Sequence, residues 1–312
     1  MTEIADLILR SGRAGVELAL FVLLPVMIVM LSLMRLLEAR GLLDNFVDRV
    51  SPLLAPLGVP GLGVFALLQI TLVSFAAPLA TLAMMDRGNT TRRHIAATFA
   101  LVLGCAQANV VFPMAAFGLH SLKVMLVSVV CALIGAACTY HLFARNLPEG
   151  PESMPTHPPH PKADDARGVL QVINAAGKEA FEIAIGAIPM LVLALLLVNS
   201  LRGIGVVELL EQVLEPVFLW LDLPTAMLLP IITKYIAGGT AMMGVAVDFL
   251  DQQLISVSDL NRVSGFLISP LDVAGIAIFL SAGPRVASVL KPAIYGALVA
   301  IALRTLVHFF WP

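Results

Sequence analysis

Charged side chains are scarce in this chain. Asp, Glu, Lys and Arg make up 13% of its 312 residues, about half the share usual in soluble domains. So few charges exclude an ordinary water-soluble domain. The cysteines are three, Cys105, Cys131 and Cys138, all within apolar runs, so no disulfide framework is implied. Neither an HExxH zinc motif nor a nucleophile–base pair occurs, which argues against an intramembrane hydrolase; no enzyme activity and no catalytic residue are expected. His157 and His160 stand in HPPHP, where a proline-rich stretch offers a metal no fixed geometry, so no metal and no cofactor are expected. The first residues, Met1–Phe21, lack a small-residue cleavage site and read as an amphipathic lead-in to a first span. A net charge of −2 points to no partner, and nucleic acid is not expected.

What the chain has in abundance is apolar length. It is 59% hydrophobic with a mean hydropathy of +0.94. The fold class is therefore an all-α polytopic membrane protein, with the lipid bilayer as its solvent.

The most informative stretch is Leu223–Phe249. It is long enough to cross a bilayer, for which about 20 apolar residues suffice. Its middle, however, carries Thr233, Lys234, Tyr235, Gly238, Gly239 and Thr240. Broken backbone at membrane depth is tolerated only where protein or a water-filled cavity satisfies it. The expectation is two half-helices, 225–236 and 240–250, each about 18 Å long, meeting at Gly238–Gly239 as a re-entrant hairpin. A kinked span with a snorkelling lysine is the alternative.

Taken in order, the chain shows a span at Leu18–Leu37 containing Pro25, then an interfacial amphipathic helix from Gly41 to Leu57. Leu62–Met85 follows, with Gln69, Thr71, Ser74 and Pro78 at its centre; next come His94–Phe117, interrupted at Gly104–Asn109, and an uncomplicated span, Lys123–Phe143. Arg145–Lys178 is polar and proline-rich, a solvated linker. The order then returns: a span at Ala180–Ser200, an amphipathic helix at Gly205–Leu221, the opening hairpin, an interrupted span at Leu260–Ala282 broken at Ser269–Asp272, and a last span at Val286–Phe310. Pro25, Gly41, Pro52 and Pro60 each stand 164 positions before Pro189, Gly205, Pro216 and Pro224, while Gln107 and Gly118 stand 165 before Asp272 and Gly283. Shared punctuation at one offset marks an internal repeat. The domains are a first repeat at 1–145, a linker at 146–178 and a second repeat at 179–312.

If both central stretches are re-entrant, each repeat crosses the membrane three times, and an odd number inverts the second against the first. Each repeat then has three transmembrane helices, an interfacial helix and a re-entrant hairpin. One side holds Arg35, Arg40, Arg49, Arg87, Arg92, Arg93, Arg145, Lys162, Arg167, Lys178, Arg285 and Lys291; the other holds Arg10, Arg13, Lys123, Arg202, Arg262 and Arg304. The richer side is expected to be cytoplasmic in a bacterial inner membrane, with both termini outside. Eight full crossings give a weaker asymmetry, eleven against seven.

This order of elements, given twice over 18–144 and 179–310, resembles the nucleoside-recognition or Gate domain family. That family includes the core of concentrative nucleoside transporters, the membrane part of bacterial ferrous-iron transporters and spore-maturation membrane proteins. The resemblance implies transport of a nucleoside-like solute. Gly104-Cys105 resembles the glycine–cysteine pair of the iron transporters, without their GTPase domain.

Lys234 and Asp272 are the ionisable groups at membrane depth, where such groups line pathways or neutralise each other. The repeat scheme brings them together with Gln69, Thr71, Ser74, Gln107, Asn109, Thr233, Gly238, Gly239, Thr240 and Ser269 as a candidate substrate site, with Asp272 as the coupling residue for a proton or sodium ion. Glu208, Glu211, Glu215 and Asp222 read as the solvated face of an amphipathic helix, and Met84, Met85, Met242 and Met243 as packing. The function expected is a transporter of a small polar, nucleoside-like or anionic solute, working by alternating access, with a homo-oligomer compatible. The alternative is a non-transporting Gate-domain subunit or sensor acting with a partner protein.

Overall fold

The computed structural model describes residues 2–147, 168–203, 215–216, 218–219 and 221–311, and every regular element among them is helical. The first, α1 (Thr2–Glu17), runs through a π turn at Leu18–Leu23 into α2 (Leu24–Ala39). Pro25 sits at the start of α2, where the wider turn before it absorbs the hydrogen bond that proline cannot make.

Helix α3 (Leu42–Leu54) buries Leu43 and Val47 and ends in a 3₁₀ turn at Ala55–Leu57. It does not continue into the bundle. Gly58 (φ 77°) and Pro60 turn the chain, and α4 (Gly61–Leu72) leaves at a bend of 107°. After a turn at 73–77, α5 (Pro78–Arg87) packs back along α4. The Thr81 hydroxyl donates to Gln69 Oε1 across the two arms at 2.7 Å. By contrast α6 (Arg92–Gly104) and α7 (Ala108–Ala115) keep one direction across a non-helical break and together make one span. Helix α8 (Ser121–Cys138) completes the first half with a π turn at Thr139–Phe143.

The second half repeats this order. After α9 (Val169–Gly203), a 3₁₀ turn at Thr225–Met227 leads into α10 (Leu228–Ala237), against which α11 (Gly239–Asp251) folds back. Helices α12 (Val257–Leu267) and α13 (Val273–Leu280) form a second broken pair, and a short α14 (Pro284–Ser288) precedes α15 (Leu290–Phe310). Backbone conformation carries the same offset as the prolines. Gly58 (φ 77°) and Asp222 (φ 51°) stand 164 positions apart, and Gly118 (φ 92°) and Gly283 (φ 154°) stand 165 apart.

The linker boundary needs correcting. Helix α9 begins at Val169, inside the stretch read as linker up to Lys178. Val172, Ala176 and Ala180 recur at helical spacing and are buried, so the polar residues between them lie on the outer face of a helix already under way. Residues 148–167 and 204–214 lie outside the described residues, and with them His157, His160, Glu208, Glu211 and most of the second amphipathic helix.

Among the described residues four helices are long and apolar enough to cross a membrane: Ala5–Leu37, Arg92–Ala115, Ser121–Phe143 and Leu290–Phe310. The Arg92–Ala115 span is almost wholly buried and sits at the centre. Helix α6 is buried on all sides for that reason, and from Ile95 to Leu103 every residue but Thr98 is apolar. Its neighbours α8 and α15 instead expose Leu122, Leu126, Val130, Leu298 and Leu306, side chains suited to lipid.

Small residues let these helices approach. A Cβ on Gly135 of α8 would fall on the Gly296 carbonyl of α15, and one on Gly265 of α12 would sit 2.5 Å from Thr305 Cα. On opposite sides, each half clasps the other. The Asn261 amide of α12 donates to the Gly118 carbonyl (3.0 Å) and accepts from His120 N (2.8 Å). Asp86, at the end of α5, accepts from Val286 N (2.8 Å), and Arg285 donates to the Asp86 and Gly88 carbonyls (2.8 and 2.7 Å).

Candidate functional site

The two folded-back hairpins, α4–α5 and α10–α11, meet the two helix breaks, and the polar residues at membrane depth collect there. Asp272 is the N-cap of α13, where its Oδ1 accepts from Gly275 N at 2.7 Å. A carboxylate at a helix N-terminus faces unpaired N–H groups and the positive end of the helix dipole. Its other oxygen, Oδ2, lies 2.6 Å from Lys234 Nζ, and both side chains are almost completely buried (3% and 0% exposed). The Lys234 ammonium also points to the Leu271 carbonyl at 3.4 Å. Lys234 and Asp272 therefore form an ion pair joining hairpin α10–α11 to the second helix break.

The hairpin tip lies between the two breaks. Gly238 (φ 91°) is in a conformation open mainly to glycine, and a Cβ there would be 3.5 Å from Asp272 Oδ1. Gly239, the first residue of α11, faces the other break, since a Cβ on it would overlap the Gln107 side-chain amide. Gln107 is the N-cap of α7, as Asp272 is of α13. The repeat thus sets a neutral amide and a carboxylate at equivalent helix starts, with the tip of α10–α11 against both.

Asn109 ties the two hairpins together. Its Oδ1 accepts from Phe75 N at the first tip (3.1 Å), and its Nδ2 donates to Thr240 Oγ1 beside the second (3.3 Å). Asn109, Thr240, Lys234 and Asp272 are bonded across these elements, Gln69 is bonded across the two arms of the first hairpin, and Gln107, Gly238 and Gly239 meet there by close approach. The other four expected site residues are not drawn in. The Thr71 hydroxyl donates back to its own helix at the Leu67 carbonyl (2.7 Å), the usual outlet for a threonine inside a helix. Ser74 and Thr233 are buried at the first tip and beside Lys234. Ser269 is buried with its hydroxyl unpartnered, three residues before Asp272. A cleft of about 600 Å³ lies elsewhere, between the end of α11, the start of α12 and Phe117. It shares no residue with this cluster, so the polar cluster is the better candidate for the site.

Arg304 corrects the charge tally, which counts it with the basic residues of the side opposite the linker. The structure buries it completely. Its Nε donates to the Gly265 carbonyl (2.6 Å), Nη1 to the Gly104 carbonyl (3.1 Å) and Ser128 Oγ (2.9 Å), and Nη2 to the Ile268 carbonyl (2.9 Å). Its position near the end of the last apolar run imitates a snorkelling residue. The signal against that was its repeat: Arg304 shares a face with Ala293, Ala297 and Ala300, at intervals of three and four residues. Lys123, by contrast, does reach the span end, where its Nζ donates to the Trp311 carbonyl and lies over the Trp311 ring.

No protein-family model matches this chain, and no curated protein matches it. Solved structures do. CNTnw, a concentrative nucleoside transporter, in an inward-facing substrate-bound state is 17% identical, with a TM-score of 0.67, over 99% of this chain and 83% of that one. A CNTnw variant in an outward-facing state is 17% identical over 99% and 84% of the two chains, with a TM-score of 0.68. Another variant, in an intermediate state, is 18% identical over 99% and 86%, with a TM-score of 0.63. These proteins are transporters and not enzymes. This chain has the fold of a polytopic membrane transporter, similar over nearly its whole length to concentrative nucleoside transporters.

Proposed function

We propose that this protein carries a small polar solute across a bacterial inner membrane by alternating access, with the two hairpin tips closing on the solute near mid-membrane. The observation that carries the proposal is the Asn109 bridge. One side chain in the first turn of α7, just after the first break, holds both tips, so the tips part or close through it. The similarity to a transporter seen in inward-facing, intermediate and outward-facing states supports the same reading. In this reading the two repeats are inverted, each with three crossings, and the hairpins enter and leave on one side. The arms of α4–α5 and α10–α11 have 10 to 13 residues, about 15 to 20 Å at 1.5 Å per residue, too short for a hydrocarbon core of about 30 Å. Removing Arg304 from the outer side strengthens the charge asymmetry that puts both termini outside. The likeness to concentrative nucleoside transporters supports a nucleoside-like or anionic solute, which fits the donors gathered at the tips: Lys234, Gln107, Asn109 and the first N–H groups of α11.

Coupling belongs to Asp272, whose exchange of Lys234 for a proton or a sodium ion would free the hairpin tip. The pairing itself favours a second reading. A pair complete at 2.6 Å is also what a non-transporting membrane subunit would use to neutralise two buried charges. Uptake of radiolabelled uridine and adenosine into proteoliposomes separates the two. Asp272→Asn should abolish gradient-driven uptake, while Lys234→Gln should change solute affinity. A neutral double variant that restores uptake would show the pair to be structural. Absence of uptake with every nucleoside and nucleotide tried, from folded protein, would favour the subunit reading.

A further inference from the structure

Both broken spans end a helix inside the bundle, and a helix end leaves carbonyls without partners. The Gly104 carbonyl ends α6, and the Gly265 and Ile268 carbonyls close α12. Gly104 and Ile268 stand 164 positions apart, the offset of the repeat, so equivalent ends of the two halves point to one place. Each helix C-terminus carries about half a negative charge, so the two together balance about one cation. Convergent carbonyls of this kind are what a transporter uses to hold a monovalent cation at membrane depth. Here the cation is part of the chain. Arg304 donates to all three carbonyls and to Ser128 Oγ. Ser128 Oγ in turn accepts from Ala106 N in the first break (2.5 Å).

We infer that Arg304 is a tethered cation, filling from the last span the carbonyl-lined place where the two broken spans end, and so excluding a free sodium or potassium ion from it. The repeat confirms that the device is one-sided. Thr139 of the first half, 165 positions earlier, turns its hydroxyl to the Gly135 carbonyl of its own helix and supplies no second cation. Arg304 is a positioning residue, holding the break of each half against the other. A coupling cation would then have to bind elsewhere, with Asp272 the remaining candidate; that consequence alone rests on the transport reading.

The test needs no solute. Purified protein in detergent is melted in choline, sodium or potassium chloride at equal ionic strength, and with millimolar methylguanidinium. Arg304→Ala should lower the melting temperature, and methylguanidinium or an alkali cation should recover much of the loss. The wild type should show no comparable response to methylguanidinium. Arg304→Lys, which keeps the charge, should be more stable than Arg304→Met, and this comparison decides the matter if Arg304→Ala does not fold. Equal damage from lysine and methionine, or a folded alanine variant that no cation stabilises beyond the wild-type response, overturns the inference. Failure of nucleoside uptake would leave these melting results untouched.

Discussion

At position 239 the chain needs a residue without a side chain, because the Gln107 amide already occupies that space. A methyl there would push the amide off the start of α11, at a cost of about 1–3 kcal/mol for overpacking. Gly239→Ala should therefore destabilise the protein, and the loss should shrink in a Gln107→Ala background. A double-variant cycle on melting in detergent should show a coupling of roughly 0.5–3 kcal/mol; additive losses would mean that the two residues do not meet. The individual site residues were legible in the sequence to different degrees. Lys234 and Asp272 stand out as charges in apolar runs, and pairing is the ordinary fate of such charges. Thr71 looked equally suitable, yet its hydroxyl is used by its own helix. Which way a side chain turns depends on the carbonyls around it, and that is not written in its spacing.

Among the elements, α15 shows how closely the helices must approach. Gly296 meets Gly135 backbone to backbone, and a Cβ on either would strike the other's carbonyl. Gly135→Val should cost at least about 1–3 kcal/mol by overpacking and lower the melting temperature. Gly177→Ala in α9 is the control, since nothing lies within 4 Å of a Cβ there; it should be neutral or stabilising by up to about 1 kcal/mol. Equal effects from the two would remove the close-packing argument. The positions of all four helix interruptions were readable from Gly, Pro and polar residues. Which of them reverse the chain was readable only as one of two alternatives, since a kinked span with a snorkelling lysine competed with the re-entrant hairpin. Helices α6 and α7 carry on in one direction, whereas α10 and α11 fold back, with Gly238 at φ 91°.

For the molecule as a whole, the topology makes a prediction of its own. The linker should be cytoplasmic and both termini outside. In a background lacking Cys105, Cys131 and Cys138, a cysteine at position 156 should resist an impermeant thiol reagent added to intact cells. Cysteines at Gly61 and Arg87 should both be protected in the same way, because the hairpin between them starts and ends on one side. Labelling of one of these two from outside and the other only from inside would make α4–α5 a full crossing, and the inverted repeat would fail with it.

The sequence alone determined the membrane class, the repeat offset and the places where helices stop. Each of these depends on residues near one another along the chain: apolar run length, proline, glycine and buried polarity. Only the tertiary structure decided who meets whom at the centre. Asn109 reaches Phe75 and Thr240, and Arg304 reaches the Gly104 carbonyl 200 residues away. In a low-dielectric interior a freed carbonyl or a buried charge must find some partner. Which partner it finds is set by how closely glycine-lined helices bring distant segments together.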